Sequence, residues 1–314
     1  MALPTPPVLL IAFNRPDTAA RVFEAIRAAR PARFFFACDG PRPGRPEEEE
    51  RVSEVRRLVA QVDWPCDCRV LFQAENLGCG RGVSAAIDWF FREAGEGIIL
   101  EDDCLPSPAF FPFAAAMLER HRNDPRIGLI AGTNMVPDVA LPEDYGFSRI
   151  VTTWGWATWR RTWDEYRLIP EMVRADEPWL RLFGGRTFRV LERSFLRIHA
   201  GDLHTWDFQL MVQMLRSERL TVIPRRNLVL NIGFAGGGTH YKGSGRPWWA
   251  PAHAYDFNGD WTKPVEVELV GLYDAKLAAS CHGGTNNWAR AWMKLLRRIY
   301  DFRTRPARDL WLSA

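Results

Sequence analysis

Glu101, Asp102 and Asp103 stand in a row directly behind Gly97-Ile98-Ile99-Leu100. Adjacent carboxylates repel one another unless a cation shares them. Hard divalent ions such as Mg²⁺ or Mn²⁺ take one or two protein carboxylates and fill their other positions with water and phosphate oxygens. A run of acids can equally be a solvated face, which is the reading given to Glu47-Glu48-Glu49-Glu50. The trio differs in its place. A short apolar run reads as a buried strand, and the carboxyl end of such a strand is where open α/β sheets bind ligands. The expected chemistry is a metal ion clamped against a diphosphate.

Two further groups belong to the same edge if the strands run parallel. Asp39 ends a second apolar run and precedes Gly40-Pro41. A carboxylate there accepts from a base edge or a ribose hydroxyl, or makes an ordinary turn. Asn76, Gly78, Gly80 and Gly82 follow a third run, before a helix. Their spacing is not that of the dinucleotide-binding turn, and they follow the third strand instead of the first. Glycines there let backbone approach a phosphate or a sugar, or simply open the helix. Arg81 is the expected diphosphate contact.

Elements that would hold these groups follow from the hydrophobic pattern. Residues 8–13, 33–38 and 68–72 read as strands. A helix after Asn14-Arg15-Pro16-Asp17-Thr18 carries Val22, Phe23 and Ile26 inward, a charged helix spans 47–61, and another runs through Phe91. Strands alternating with helices predict an α/β fold with a doubly wound, mostly parallel sheet. Residues 228–232 read as a late strand, followed by a Gly/Pro-rich loop over 234–251.

Composition narrows the partners. The chain has 314 residues and a formal net charge of +3, so nothing global calls for nucleic acid. Its six cysteines are scattered without a metal-binding spacing, which favours reduced thiols over a disulfide network. No apolar run approaches a membrane span, and no secretory leader pattern opens the sequence, so a cytoplasmic location is expected. Fourteen tryptophans, many between Trp154 and Trp261, suggest aromatic walls for a flat ligand or an interface.

In order, Phe13-Asn14-Arg15-Pro16, Asp39, Asn76-Leu77-Gly78 and Leu100-Glu101-Asp102-Asp103 resemble the motifs of GT-A nucleotide-sugar glycosyltransferases. The trio is similar to the Glu-Asp-Asp form of the metal-binding motif in N-acetylglucosaminyltransferase I-like enzymes. Thr153-Trp154-Gly155-Trp156-Ala157-Thr158-Trp159-Arg160-Arg161 resembles a segment of bacterial glycosyltransferase-like proteins, and Thr205-Trp206-Asp207-Phe208-Gln209 resembles the Trp-Asp element that carries the base in inverting members. The resemblance spans roughly 8–245.

It implies a metal-dependent, inverting transfer from a nucleoside-diphosphate sugar, with UDP-sugars favoured, to a glycan or lipid-linked acceptor, as in polysaccharide or lipopolysaccharide synthesis. Asp103 would ligate Mn²⁺ or Mg²⁺, with His240 of the glycine-rich loop as a second ligand. Asn14, Arg15, Asp39, Asn76, Arg81, Glu101 and Asp102 would bind the donor. Trp154, Trp156 and Trp206 would stack on acceptor sugars. Asp207 would be the general base, although a carboxylate at that position also caps a helix. Asp202 and Glu218 are the next candidates for the base.

Two other readings use the same scaffold: a sugar-phosphate nucleotidyltransferase and a non-catalytic glycan-binding protein. The first normally places a Gly-rich, basic loop after the first strand, where this chain has Asn14-Arg15-Pro16. One catalytic domain is expected over 1–284, with a nucleotide-sugar half (1–130) and an acceptor half (131–284). Residues 285–314 form a basic C-terminal segment in which Trp288, Trp292, Leu295, Leu296 and Ile299 recur at helical spacing among arginines and a lysine. That pattern suits peripheral contact with a membrane surface or docking on the domain.

Overall fold

The structure is a computed structural model that describes residues 3–172, 174–177, 195–202, 204–235, 246, 250–256, 261–264 and 266–274. Its centre is an eight-stranded sheet in the order β3-β2-β1-β4-β8-β6-β9-β7. The strands are β1 (Val8–Ala12), β2 (Arg33–Cys38), β3 (Asp67–Phe72), β4 (Glu96–Glu101), β6 (Ile127–Ala131), β7 (Tyr145–Ser148), β8 (Trp156–Trp159) and β9 (Leu220–Pro224). β3, β2, β1 and β4 are mutually parallel, as are β6 and β9, while β8 and β7 pair antiparallel to their neighbours. The sheet is therefore mostly parallel. A two-stranded ribbon of β5 (Cys104–Pro106) and β10 (Val229–Asn231) lies beside it.

Helices cover both faces, which is why the central strands are apolar throughout. Leu9, Ile11, Phe35 and Ile99 point to one face, against α3 (Gly78–Glu93) and α6 (Asp207–Arg216). Leu10, Phe34, Phe36 and Ile98 alternate to the other, against α1 (Pro16–Ala29), α2 (Pro46–Arg57) and α4 (Phe110–Arg120). Val22, Phe23 and Ile26 of α1 are buried, as their spacing requires. A proline at its first turn and Asp17 beside it suit a helix start. The charged helix is shorter than its pattern suggests, passing into a 3₁₀ turn at Leu58–Gln61. The doubly wound α/β class expected from the sequence holds.

The Trp-rich segment departs from its expected use. Trp156–Trp159 forms β8, inserted antiparallel between β4 and β6 with Trp156 opposite Ile99. Aromatic and β-branched residues fill such a position well, and a short helix, α5 (Arg160–Trp163), follows it.

Candidate functional site

The parallel strands bring the ends of β1, β2, β3 and β4 to one edge of the sheet. A cleft of about 340 Å³ opens there, bounded by Phe13, Asn14, Arg15 and Asp102, by residues after β2 and β3, and by the first turns of α3. Asn14, Arg15, Asp39, Asn76, Glu101 and Asp102 all line it. Arg81, Asp103 and Asp207 do not line it; Arg81 lies exposed on the first turn of α3, between the lining residues Cys79 and Gly82.

The acids are already partly compensated by a side chain of the protein. Arg15 donates from Nη1 to Oδ2 of Asp103 at 2.9 Å and from Nη2 to Oδ1 of Asp102. The other oxygen of Asp102 accepts the backbone N–H of Phe13 at 3.1 Å, so this buried carboxylate ties the end of β1 to the end of β4. Burial raises the Asp102 carboxyl above the ordinary range, against the pull of Arg15. Glu101 is raised well above it too, by burial and then by the charges of Asp103 and Asp102. The expectation that Arg15 awaits the donor is thus revised: its guanidinium forks across two acids.

Asp39 also has a different occupation. Its Oδ1 accepts the N–H groups of Gly40 and Leu77, both at 2.9 Å. Its Oδ2 accepts Gly78 N–H and Asn76 Nδ2, both at 3.0 Å. Four hydrogen bonds fill the acceptor capacity of a carboxylate. Asp39 satisfies orphan N–H groups at the start of α3 and fastens the preceding loop, the work of a helix cap supplied from another strand. The glycines serve this assembly. Gly78 has φ +77°, and a Cβ on Gly80 would come within 3.0 Å of the Thr205 carbonyl oxygen.

That close approach brings α6 to the cleft. Asp207 opens α6, and its Oδ1 accepts Phe208 N–H at 2.9 Å and the Thr205 hydroxyl. Its charge adds to burial in raising the Glu101 carboxyl and the Cys79 thiol, so it lies near the acids, although it does not line the cleft. Desolvation first, and then the charges of Glu101, Asp207 and Asp103, push the part-buried Cys79 thiol well up, which disfavours the thiolate. Thr205 stands in the sequence only as part of the 205–209 segment, with no role of its own; in the structure its hydroxyl holds the Asp207 carboxylate. Glu218 lies exposed beyond the far end of α6, about 16 Å along the helix from Asp207. Asp202 is exposed before the helix.

Of the three tryptophans expected to stack on sugars, two belong to the core. Trp156 is fully buried and Trp206 is 3% exposed; their rings stack on each other 5.7 Å apart. They fill the space between β8 and α6 and present no face to a ligand. Trp154 is part-buried, edge-on to Phe234 at 5.6 Å, where the chain returns over the acids. There Ile232 N–H donates to the Asp103 carbonyl at 2.8 Å, and a Cβ on Gly233 would press on the Asp103–Arg15 pair and shift it. His240 lies outside the described residues, as does the basic segment at 285–314.

Among the described residues, no group of three or more His, Cys, Asp or Glu side chains is arranged to hold a metal ion. An ion bound by one carboxylate, water and diphosphate oxygens needs only Asp103, whose side chain is 18% exposed. Arg15 holds Oδ2 of Asp103, so the residues fit a metal there through Oδ1, or through Oδ2 once Arg15 releases it. Among the described residues the cysteines form no disulfide, and no helix is long and apolar enough to cross a membrane.

No family model matches the chain, and no curated protein is similar to it. Solved structures that resemble it include HddC from Yersinia pseudotuberculosis, at 10% identity over 51% of this chain and 80% of that one, with a TM-score of 0.32. UDP-glucose pyrophosphorylase in its apo form is 8% identical over 71% of this chain and 93% of that one, at 0.37. The same enzyme complexed with UDP-glucose gives 8% over 69% and 89%, at 0.34. At such values the likeness carries no chemistry, which rests on the side chains of this chain.

Proposed function

We propose that the protein is a glycosyltransferase that moves a sugar from a nucleoside-diphosphate sugar to a hydroxyl of a glycan or lipid-linked acceptor, with inversion. One observation supports this most. The start of α6 packs against the first turn of α3 beside the cleft, Thr205 backbone against Gly80, and there Asp207 is a carboxylate held by the Thr205 hydroxyl and the Phe208 N–H. Asp207 takes the proton of the acceptor hydroxyl, whose oxygen attacks the anomeric carbon as the bond to the diphosphate breaks. The diphosphate leaves as an anion, so no general acid is required, unlike glycoside hydrolysis.

Asp102 holds Arg15 and the end of β1 in register with the acids, keeping a guanidinium beside the leaving group. A divalent ion held by Asp103, with His240 as a further proposed ligand, would supply charge neutralisation for the diphosphate. Trp154 is the remaining candidate for stacking on an acceptor sugar. The basic segment at 285–314 is proposed to meet an anionic membrane surface from the cytoplasmic side.

The nucleotidyltransferase reading is less well supported. β1 passes into α1 through Phe13, Asn14 and Arg15 alone, and Arg15 is engaged by the acids, leaving no basic glycine-rich loop for a triphosphate. The deciding experiment supplies the full chain with Mn²⁺ and a panel of nucleotide sugars, and separately with nucleoside triphosphates and sugar phosphates. Release of a nucleoside diphosphate from a nucleotide sugar, lost in Asp207→Asn, supports the proposal. Pyrophosphate release from the second panel, or no turnover with donor-independent glycan binding, overturns it.

A further inference from the structure

Glu48 behaves unlike its neighbours in the acidic run. Glu47, Glu49 and Glu50 are exposed, whereas Glu48 is 3% exposed. It is covered by arginines at the surface and not sunk into the core. Its Oε2 accepts the backbone N–H of Arg42 at 3.2 Å and the Arg42 Nε at 2.9 Å, its Oε1 pairs with Nη2, and Arg45 lies 3.7 Å away. This bidentate grip fixes a guanidinium that would otherwise be a free surface group. It holds Arg42 at the rim of the cleft, 5.8 Å from the centre of the Phe13 ring. Glu48 uses Nε and one proton of Nη2, so the fork retains N–H donors that Glu48 does not occupy.

The sheet order says what such a guanidinium would meet. The acids end β4, Arg15 follows β1, Arg42 follows β2 and Gln73 follows β3. A nucleotide with its diphosphate at the acids extends its base across three inter-strand spacings, about 14 Å, toward Arg42 and Gln73. The edge of the base farthest from the ribose carries the exocyclic group. Asp39, the obvious acceptor for an amino group there, is spent on the start of α3. Arg42 offers donors only.

We infer that Arg42, positioned by Glu48, selects a donor whose base bears a carbonyl at pyrimidine position 4 or purine position 6, as uracil and guanine do, over one bearing an amine there, as cytosine and adenine do. This rests on the nucleotide-sugar reading above. A carbonyl accepts from the guanidinium, whereas an amine sets N–H against N–H and leaves both unpaired, the arrangement that gives polar sites their selectivity. Phe13 supplies the flat apolar surface beside it.

Equilibrium binding of UDP, GDP, CDP and ADP to the full chain, at fixed Mn²⁺, tests this in wild type, Arg42→Met and Glu48→Gln. Wild type should bind at least one of UDP and GDP about tenfold or more tighter than CDP and ADP, the scale of one charge-assisted hydrogen bond. Arg42→Met should close that gap by weakening the favoured nucleotide while CDP and ADP change by less than about twofold. Glu48→Gln, with Arg42 intact but loosely held, should narrow it in part, and Arg42→Lys provides a charged variant should the methionine fail to fold. Equal binding of all four by wild type would overturn the inference. So would an equal loss for all four in Arg42→Met, which would make Arg42 a phosphate or ribose contact; both results leave the nucleotide-sugar reading standing. Wild type that binds none of the four would overturn that reading and this inference together.

Discussion

Nη1 of Arg15 lies 2.9 Å from Oδ2 of Asp103, and the other arm of the same guanidinium pairs with Asp102. A cation of the protein itself thus answers the repulsion of the acidic trio. Arg15→Ala would leave two neighbouring acids uncompensated, one of them buried. Removing one partner of a buried ion pair costs about 3–5 kcal/mol, and the part-exposed Asp103 argues for the lower end. The melting temperature of Arg15→Ala should therefore fall below that of wild type. Mn²⁺ should restore more stability to the variant than it adds to wild type, since the ion and the guanidinium answer the same charges. Melts with and without Mn²⁺ measure both effects; equal shifts in the two proteins would show that metal and Arg15 do not compete.

Asp207→Asn keeps the shape at the start of α6 and removes the basic oxygen. Transfer should fall by about 10²–10⁴-fold, the usual contribution of a positioned base, with nucleoside-diphosphate affinity within a factor of two or so of wild type. Thr205→Val should lower turnover less, because it frees the carboxylate without removing it. Near-wild-type turnover in Asp207→Asn would point to another base, and among the expected substitutes only Asp202 lies on the Asp207 side of α6.

Asp39→Ala should act mainly on stability. It removes acceptors for Leu77 and Gly78 at the head of α3, a loss of about 1–2 kcal/mol on the scale of helix caps. The preference among UDP, GDP, CDP and ADP should survive, because Asp39 holds the loop and does not read the base. Chemical denaturation with a nucleotide titration separates the outcomes: unchanged stability with lost base preference would return Asp39 to the role its position in the sequence suggested.

How much was legible follows from which forces write themselves locally. Apolar runs and helix periodicity are local, so β1 to β4, α1 and the acidic edge could be read directly. Trp156 and Trp206 could not be assigned, because their stacking joins β8 to α6 across 50 positions of sequence. Asp39 was visible as a strand-end acid, but its partners at residues 76–78 come from the next strand–helix unit. Gly80 looked like part of a phosphate loop, and its reason is the Thr205 backbone packed against it. Glu48 sat in what looked like a solvated run. Only the return of Arg42 over α2 distinguishes it.

His121 predicts a pH dependence independent of the cleft. It ends α4, is 6% exposed, and packs edge-on against Tyr145 and Phe147 at 5.9 and 5.7 Å. Its Nε2 is buried without a hydrogen-bond partner among the described residues. Burial pushes its pKa down to about 4 from 6.5; Arg120 and Arg126 push the same way, and Asp124 opposes them. The unfolded chain therefore binds the proton first. Above pH 6.5 both states are neutral and the native packing is at full strength. As pH falls from 6.5 toward 4, protons bind the unfolded state and stability declines, by up to about 3 kcal/mol at 1.36 kcal/mol per unit. Below pH 4 this contribution is lost and levels off. His121→Met, apolar and similar in size, should flatten that part of the curve. Denaturation at pH 7.5 and pH 4.5 gives the test: if the variant loses as much stability as wild type between those two values, the imidazole is not the group that titrates.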